Sequence, residues 1–286
     1  MQPASQPRFP NSLFPAPCHL PMIWLEILVL AVVQGIGEFL PISSSGHVVV
    51  GLEVFDRLGH VVSDRLTVNI ILHMGTLLAI LVFYRQRIWR LLGEDRRVIG
   101  LLLVGSLPAG VVGITIKTTQ FGAVIEEAVL DNALVAGLMF PITGLMLLWS
   151  ARRNTGQTTC RELGYGRALL VGTLQAFAIL PGISRSGATI VAGLGCGLRR
   201  DEAAAFSFLL AIPAISGAGL LESVKLLRHP TESTPPAALA LGALLSFAIG
   251  LASLWCLVRW LRQGRLHLFA LWVIPLGVGV TAWQLL

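Results

Sequence analysis

A break rich in proline, glycine and serine interrupts an apolar stretch near the start of the chain, and it recurs about half a chain later. The first break reads LPISSSG over 40–46. The second reads LPGISRSG over 180–187, with one inserted glycine, Gly182. The aligned central pairs are Ser43 with Ser184, Ser44 with Arg185, and Ser45 with Ser186. This repetition predicts two related halves that bring their breaks together.

The apolar segments follow each break in the same order. Those flanking the breaks are too short or too interrupted to be full spans of ~20 apolar residues, which predicts re-entrant helix–loop–helix pairs over 22–55 and 167–198. Three longer segments follow each pair, at about 67–84, 98–116, 129–149, 204–226, 237–258 and 268–286. Short, interrupted segments in matching places of two halves point to a binding site at membrane midplane.

Composition places the chain in a membrane. Of its 286 residues, 55% are hydrophobic and only 13% are charged, about half the charged fraction of a soluble domain. Each half, 22–149 and 167–286, crosses three times, so the second is inverted. The prediction is an all-α integral membrane protein with an inverted-topology repeat, about six spans and four half-helices.

The net charge of +6 is assigned to cytoplasmic loops rather than to nucleic-acid binding. Arginine-rich loops at 85–97, 150–166 and 259–267 are predicted to be cytoplasmic, and the acidic 117–131 loop external. The first re-entrant pair then enters from outside and the second from the cytoplasm. Residues 1–21 are expected to be a disordered tail or to precede a start at Met22. The four scattered cysteines predict no zinc or disulfide site.

Glu38 is an ionisable residue inside an apolar segment, which by default suggests a functional site. Gln34 lies four residues earlier, on the same face of a helix. The carboxylate is a candidate acid/base group and, with Gln34 as a tentative second ligand, a candidate site for Mg²⁺ or Ca²⁺. The alternative is a polar pair that only joins helices.

The serine run that follows is a candidate anion site. Ser43, Ser44 and Ser45 offer hydroxyls and N–H groups where a helix begins. The alternative is helix capping, for which one serine suffices. His47 is a candidate acid/base or nucleophile beside Ser44, the alternative being a packed core histidine.

Arg185 is the cationic residue of the second break. Its planar guanidinium suits a phosphate, which Ser184, Ser186 and Thr189 would help to bind. The alternative is an internal ion pair with Glu38. Together these groups suit a phosphate ester or pyrophosphate. Two other polar residues in apolar segments, His73 and Glu222, are weaker candidates to line the cavity.

At these residues the chain resembles the undecaprenyl-pyrophosphate phosphatase family, also called the bacitracin-resistance family. The shared motifs are Gln34…Glu38 with FLPISSSGH after it, PGISRSGAT over 181–189 and FSFLLAIP over 206–213. Two departures are the glutamine at 34, which the family pattern allows, and Phe269–Val273, where many members carry Tyr-Arg.

The resemblance implies a multi-pass enzyme of the bacterial cytoplasmic (inner) membrane with its site open to the outer side. It implies hydrolysis of undecaprenyl pyrophosphate, which recycles the carrier lipid of peptidoglycan synthesis, and a divalent cation, Mg²⁺ or Ca²⁺. It places metal or acid/base work on Glu38, phosphate binding on Arg185, and the nucleophile on Ser44 or His47. Whether the protein forms a homodimer is left open.

Two other functions compete. An inverted-repeat transporter or flippase fits the architecture equally well, but it needs no nucleophile. An acid-phosphatase-like lipid phosphatase would need a histidine after Ser184-Arg185, where the sequence continues SGATIVAGLG. We therefore favour the diphosphatase, with Ser44 as the nucleophile and His47 assisting it.

Overall fold

The computed structural model describes residues 19–57, 65–152, 156–228 and 234–286, so the predicted tail lies outside it as far as residue 18. The regular secondary structure of the described residues is helical apart from one isolated bridge between Thr158 and Leu198, which confirms the all-α prediction. The helices of the first half are α1 His19–Gly37, α2 Ser44–Arg57, α3 Arg65–Phe83, α4 Arg85–Leu92, α5 Arg96–Thr118, α6 Gln120–Ile125 and α7 Ala133–Ala151. Those of the second half are α8 Tyr165–Phe177, α9 Arg185–Gly195, α10 Arg200–Arg228, α11 Pro236–Arg262 and α12 Ala270–Leu285.

Five helical segments in the described residues are long and apolar enough to cross a membrane. They are Arg96–Thr118, Ala133–Ala151, Arg200–Val224, Pro236–Arg262 and Leu266–Leu285. A sixth span is formed if Thr67–Phe83 and Arg85–Leu92, which are bent by 71° to each other, count as one. Many large apolar side chains on these helices are exposed, as expected for a surface that faces lipid. The protein is a multi-pass integral membrane protein.

Two segments that the sequence analysis assigned to loops contain short helices. α4 lies within 85–97, where it packs Ile88 and Leu91 against the core and leaves Arg85 and Arg90 exposed. α6 and a π-helix, Glu126–Leu130, lie within 117–131. Both are too short to show in a search for spans of ~20 apolar residues, which explains why they were missed.

The helices pack in pairs that correspond between the two halves. α1 packs on α2 and α11, and α8 packs on α9 and α5. α3 packs on α10, and α7 packs on α12. Exchanging the halves therefore reproduces these contacts, whereas the opposite orientation of the halves in the bilayer stays a prediction.

Small residues allow the half-helices to approach their neighbours closely. A Cβ added at Gly172 of α8 would lie 1.9 Å from the carbonyl oxygen of Gly105 on α5. In the corresponding pair of the first half-helix, a Cβ added at Gly35 of α1 would lie 2.9 Å from Cβ of Ile249 on α11. Such contacts hold the two half-helix pairs inside the bundle.

We expect α4 on the cytoplasmic side and α6 on the outer side. Gln86 and Gln120 are exposed residues of these two helices and make a matched pair for labelling. With Cys18 and Cys256 replaced by serine, Gln120→Cys should react with an impermeant maleimide in intact cells. Gln86→Cys should react only after permeabilisation. The reverse pattern would contradict the predicted orientation of the protein in the membrane.

Candidate active site

The first break is a sharp turn between α1 and α2. Ser43 has a φ of 69°, in the left-handed region that non-glycine residues rarely adopt. Its Oγ accepts a hydrogen bond of 3.3 Å from the N–H of Gly46, and its carbonyl oxygen accepts one from the N–H of His47. Ser43 thus reverses the chain and caps the start of α2.

The second break has the same construction. Gly182 has a φ of 90°, and Ser184 accepts a hydrogen bond of 3.1 Å from the N–H of Gly187 at the start of α9. We call residues 38–44 hinge 1 and residues 178–185 hinge 2. In each hinge a residue with positive φ turns the chain, and a serine caps the helix that follows.

The two hinges are in direct contact. The N–H of Gly182 donates a hydrogen bond of 3.1 Å to Oγ of Ser43, which donates in turn to the carbonyl oxygen of Ile183, 3.3 Å away. A Cβ at Gly46 would lie 2.7 Å from the nitrogen of Gly182, so only glycine permits this approach. Thr143 of α7 accepts from the N–H of Ser184 and donates to the carbonyl oxygen of Gly182.

Glu38 lies at the centre of the site and is buried. Its Oε2 accepts hydrogen bonds from Nε2 of Gln34 at 3.0 Å and from Oγ of Ser44 at 3.3 Å. Nε2 of His73 lies 3.7 Å from the same oxygen. The carboxylate is thus surrounded by groups that can donate to it.

Arg185 crosses from hinge 2 to the other carboxylate oxygen. Its Nη2 donates to Oε1 of Glu38 in a charge-assisted hydrogen bond. Its Nη1 is buried and has no hydrogen-bond partner among the described residues. An unpaired buried donor is costly, so this nitrogen indicates a place for an acceptor that arrives with a ligand.

The serines and the threonine proposed for phosphate binding divide into two groups. Four of them are buried and hydrogen-bonded within the protein, namely Ser43, Ser184, Ser186 and Thr189. Ser45 is exposed and Ser44 partly so, at the start of α2. The buried group holds the hinges and α9 in place, and of the accessible pair Ser44 contacts Glu38.

His47 is held by two hydrogen bonds, neither of them to Ser44. Its Nδ1 lies 2.7 Å from the carbonyl oxygen of Ser43 and therefore carries the proton. That tautomer leaves Nε2 to accept from the indole N–H of Trp272, 3.0 Å away. The ring also packs edge-on against Phe140. A spacing of three residues predicts that Ser44 and His47 share one face of α2, but no hydrogen bond among the described residues joins them, and Ser44 bonds Glu38 instead.

The structure brings His73 into the site and leaves Glu222 outside it. Nδ1 of His73 lies 2.9 Å from the carbonyl oxygen of Asn69, which turns Nε2 towards Glu38. Glu222 instead lies 3.7 Å from Nζ of Lys117, which also pairs with Glu126.

Sequence reasoning missed three residues of the site. Thr143 bonds hinge 2, Ser207 bonds Thr189 at 2.6 Å, and Trp272 bonds His47. Thr143 and Ser207 are single hydroxyls in apolar spans, where a polar contact between helices is the usual interpretation. Trp272 lies in the segment to which the sequence assigned no function.

The thiol of Cys160 is poorly suited to nucleophilic or metal-binding chemistry. Cys160 lies in the loop after α7, and burial together with the neighbouring Glu202 raises the pKa of its thiol. A protonated, buried thiol is a poor nucleophile and a poor ligand.

A divalent cation would find one carboxylate in this site. The described residues contain no group of three or more His, Cys, Asp or Glu placed to hold a metal. Gln34 presents its amide nitrogen, a donor, to Glu38. Glu38 therefore suits Mg²⁺ or Ca²⁺ as a single protein ligand, with phosphate oxygens and water as the others, a pattern common for Mg²⁺.

The chain is similar to proteins of a known family. A family profile described as "Bacitracin resistance protein BacA" matches residues 27–279, which includes both hinges and every residue of the site. The chain belongs to this family.

Members of the bacitracin resistance family with curated names align over nearly the whole chain. A protein of Rhodopirellula baltica named undecaprenyl-diphosphatase is 51% identical over 255 residues, 89% of this chain and 95% of its own length. One of Desulfosudis oleivorans with the same name is 38% identical, over 91% of this chain and 97% of its own. Undecaprenyl-diphosphatase 4 of Bacillus cereus is 35% identical, over 92% and 98%. The resemblance noted from the motifs is confirmed.

We expect Trp272 to act through His47. Trp272→Phe keeps the aromatic packing but removes the indole donor, a loss of ~1 kcal/mol or roughly fivefold in rate if His47 serves the reaction. A double-mutant cycle with His47→Gln should show that the effect of Trp272→Phe disappears when His47 is absent. Trp283→Phe, at the far end of α12, is the control. Additive effects of Trp272→Phe and His47→Gln would contradict this role.

Proposed function

We propose that the protein is an undecaprenyl-diphosphatase, which hydrolyses undecaprenyl diphosphate to undecaprenyl phosphate and inorganic phosphate. One observation carries the proposal. Arg185 of hinge 2, with an unpaired N–H, faces the carboxylate of Glu38 and the hydroxyl of Ser44 from hinge 1. The relatives are named undecaprenyl-diphosphatase, and a diphosphate is a substrate that suits the guanidinium of Arg185, the carboxylate of Glu38 and the hydroxyl of Ser44. The reaction regenerates the lipid carrier of peptidoglycan synthesis and accounts for bacitracin resistance.

Arg185 binds the terminal phosphate of the substrate. Its fork can give two parallel hydrogen bonds to phosphate oxygens, and Nη1 is already without a partner. Ser44 and Ser45 begin α2, so their N–H groups lack intrahelical partners and are directed at the same space. These accessible groups make the phosphate site, and the buried Ser43, Ser184, Ser186 and Thr189 support it.

Ser44 is the nucleophile, and Glu38 is its base in place of the His47 favoured from the sequence, because both ring nitrogens of His47 are hydrogen-bonded elsewhere. Oγ of Ser44 donates to Oε2 of Glu38, so the proton acceptor is already in position. Attack forms the bond from Oγ to the terminal phosphorus and breaks the bond from that phosphorus to the bridging oxygen. The Ser44 proton moves to Glu38, and undecaprenyl phosphate leaves. Water then attacks the phosphorus and the bond to Oγ breaks. Oγ of Ser44 takes back the proton held by Glu38, and the hydrogens of the water leave with inorganic phosphate.

A divalent cation, Mg²⁺ or Ca²⁺, completes the proposed site. Glu38 would hold it together with oxygens of the diphosphate. When bound, the cation neutralises charge on the phosphoryl group as it is transferred. Gln34 stays beside Glu38 as a hydrogen-bond donor that orients the carboxylate.

We place the protein in the bacterial cytoplasmic membrane, with the site open to the outer side. The support is the predicted sidedness: hinge 1 enters from outside if the arginine-rich connections are cytoplasmic. Diphosphate groups that face outward can then reach Ser45, the exposed residue of the serine run.

Phosphate release from undecaprenyl diphosphate by the purified protein tests the function. We expect release that EDTA abolishes and that added Mg²⁺ or Ca²⁺ restores. If the folded protein releases no phosphate with either cation, the proposed function is wrong. Release that persists in EDTA would contradict the proposed requirement for a divalent cation but not the diphosphatase function.

Arg185→Ala should lower hydrolysis by a factor of about 100 or more, because one preorganised charge-stabilising group is typically worth that much. Arg185→Lys should also be poor, since an ammonium cannot give two parallel hydrogen bonds. Arg90→Ala, on exposed α4, is the control. Elution as a single peak in detergent checks folding, and near-normal turnover in folded Arg185→Ala would contradict the phosphate contact.

The nucleophile can be identified by comparing neighbouring serines. Ser44→Ala should lose nearly all activity, whereas Ser45→Ala should keep a measurable fraction, because only Ser44 contacts Glu38. If His47 attacks instead, an acid-labile, alkali-stable phosphoenzyme will form, and it will be absent in His47→Gln. The rates are differences between variants, because residues that act together are not additive.

A further inference from the structure

A large apolar groove lies beside hinge 2, lined in part by Ile179 and Leu180 of that hinge. It has a volume of about 760 Å³ and lies between α5, α6 and the end of α8. This volume is within the range of ligand pockets, ~300–1,000 Å³. Its lining is almost entirely apolar, and Thr173, one of its two polar residues, donates its hydroxyl to the carbonyl oxygen of Leu169 in its own helix.

The groove is fixed by close contacts at its end. A Cβ at Gly122 of α6 would lie 2.1 Å from the carbonyl oxygen of Ile116 on α5, so these helices touch through their backbones. Lys117 and Glu126 form an ion pair across the same corner. Pro108 in the wall of the groove lacks an N–H and cannot make the helical hydrogen bond there. The groove is therefore preformed rather than created by a ligand.

One end of the groove reaches the chain that leads to Arg185. Ile179 and Leu180 line it, and both belong to hinge 2. The carbonyl oxygen of Leu180 accepts a hydrogen bond of 3.1 Å from the N–H of Ile183, two residues before Arg185. A single turn thus separates the apolar groove from the guanidinium that binds phosphate in the proposed reaction.

We infer that this groove binds the first isoprene units of the polyprenyl chain of the substrate; the inference rests on the proposed function. If the diphosphate is bound at Arg185, the polyprenyl chain attached to it must lie in apolar surroundings. The groove beside hinge 2 provides such surroundings, and the described residues that line it include no charged side chain that would bind a charged ligand. Uniform binding of the chain there would lower KM without changing the chemical step.

Val112 and Ile114 make a matched pair for testing the groove. Both are β-branched residues of α5, exposed by 38% and 55%, but only Val112 lines the groove. Two residues of helix turn by about 200°, so Ile114 points away from it. Val112→Trp fills the groove, Ile114→Trp adds the same ring to the opposite face, and Thr115→Trp is a second filling variant.

The measurement compares a long and a short substrate in detergent. For undecaprenyl diphosphate, Val112→Trp should raise KM about tenfold or more with little change in kcat, as expected when binding common to ground and transition states is lost. For dimethylallyl diphosphate, which has a single isoprene unit and so fills little of the groove, the change should be much smaller. If the unmodified protein does not turn over dimethylallyl diphosphate, its inhibition constant serves the same purpose. Ile114→Trp should change neither.

The outcomes separate this inference from the proposed function. Equal losses for both substrates, or a fall in kcat alone, would show that the ring disturbs hinge 2 and would overturn the inference. An unchanged KM for undecaprenyl diphosphate in folded Val112→Trp and Thr115→Trp would also overturn it, since the groove would then hold only bilayer lipid. If the unmodified protein hydrolyses neither substrate, the proposed function fails first.

Discussion

The ion pair between Glu38 and Arg185 is the interaction on which the rest of the site depends. The two side chains are only 7% and 18% exposed, and they lie 147 residues apart in the chain. A single charge at this depth is expensive, and removing either partner leaves the other uncompensated, at about 3–5 kcal/mol. The pair therefore requires that the two halves of the protein bring their hinges into contact.

That contact creates a second requirement, because irregular backbone inside a membrane protein must find hydrogen bonds within the protein. The hydroxyl of Ser43 makes hydrogen bonds to backbone groups of Gly182 and Ile183. The hydroxyl of Thr143 does the same for Gly182 and Ser184. This explains why so many hydroxyl groups gather at the hinges. Most of them satisfy the backbone, and only the few that remain accessible can meet a phosphate.

The fold could be predicted from the sequence because both breaks are recognisable as a repeated motif. The low fraction of charged residues and the short half-helices beside each break predicted an all-α membrane protein with two halves. Gln34 and Glu38 met as expected, since a spacing of four residues fixes neighbours on a helix. Both interpretations of Arg185 also remain compatible, because its Nη2 pairs with Glu38 while its Nη1 is unpaired.

The rest depended on contacts between distant helices, which local spacing does not determine. Trp272 reaches His47 across 225 residues, and nothing within its own segment signals a partner. His73 and Glu222 looked alike in sequence, as single polar residues in apolar segments. Only tertiary packing places His73 beside Glu38 and Glu222 beside Lys117. The serine run likewise could not show which hydroxyls would be buried, because burial depends on the opposing hinge.

The same packing links substrate binding to the chemistry that follows. Glu38 is bound by Arg185 on one oxygen and by Gln34 and Ser44 on the other. In the proposed reaction a diphosphate would compete for the guanidinium, because it carries more negative charge and offers two oxygens to the planar fork. The oxygen of Glu38 that Arg185 released would then be able to hold a divalent cation. The other oxygen stays beside Ser44. In the proposed reaction the carboxylate would thus become available as a base only when a phosphate is bound. The ion pair between Glu38 and Arg185 would then have two roles, joining the hinges and coupling phosphate binding to catalysis.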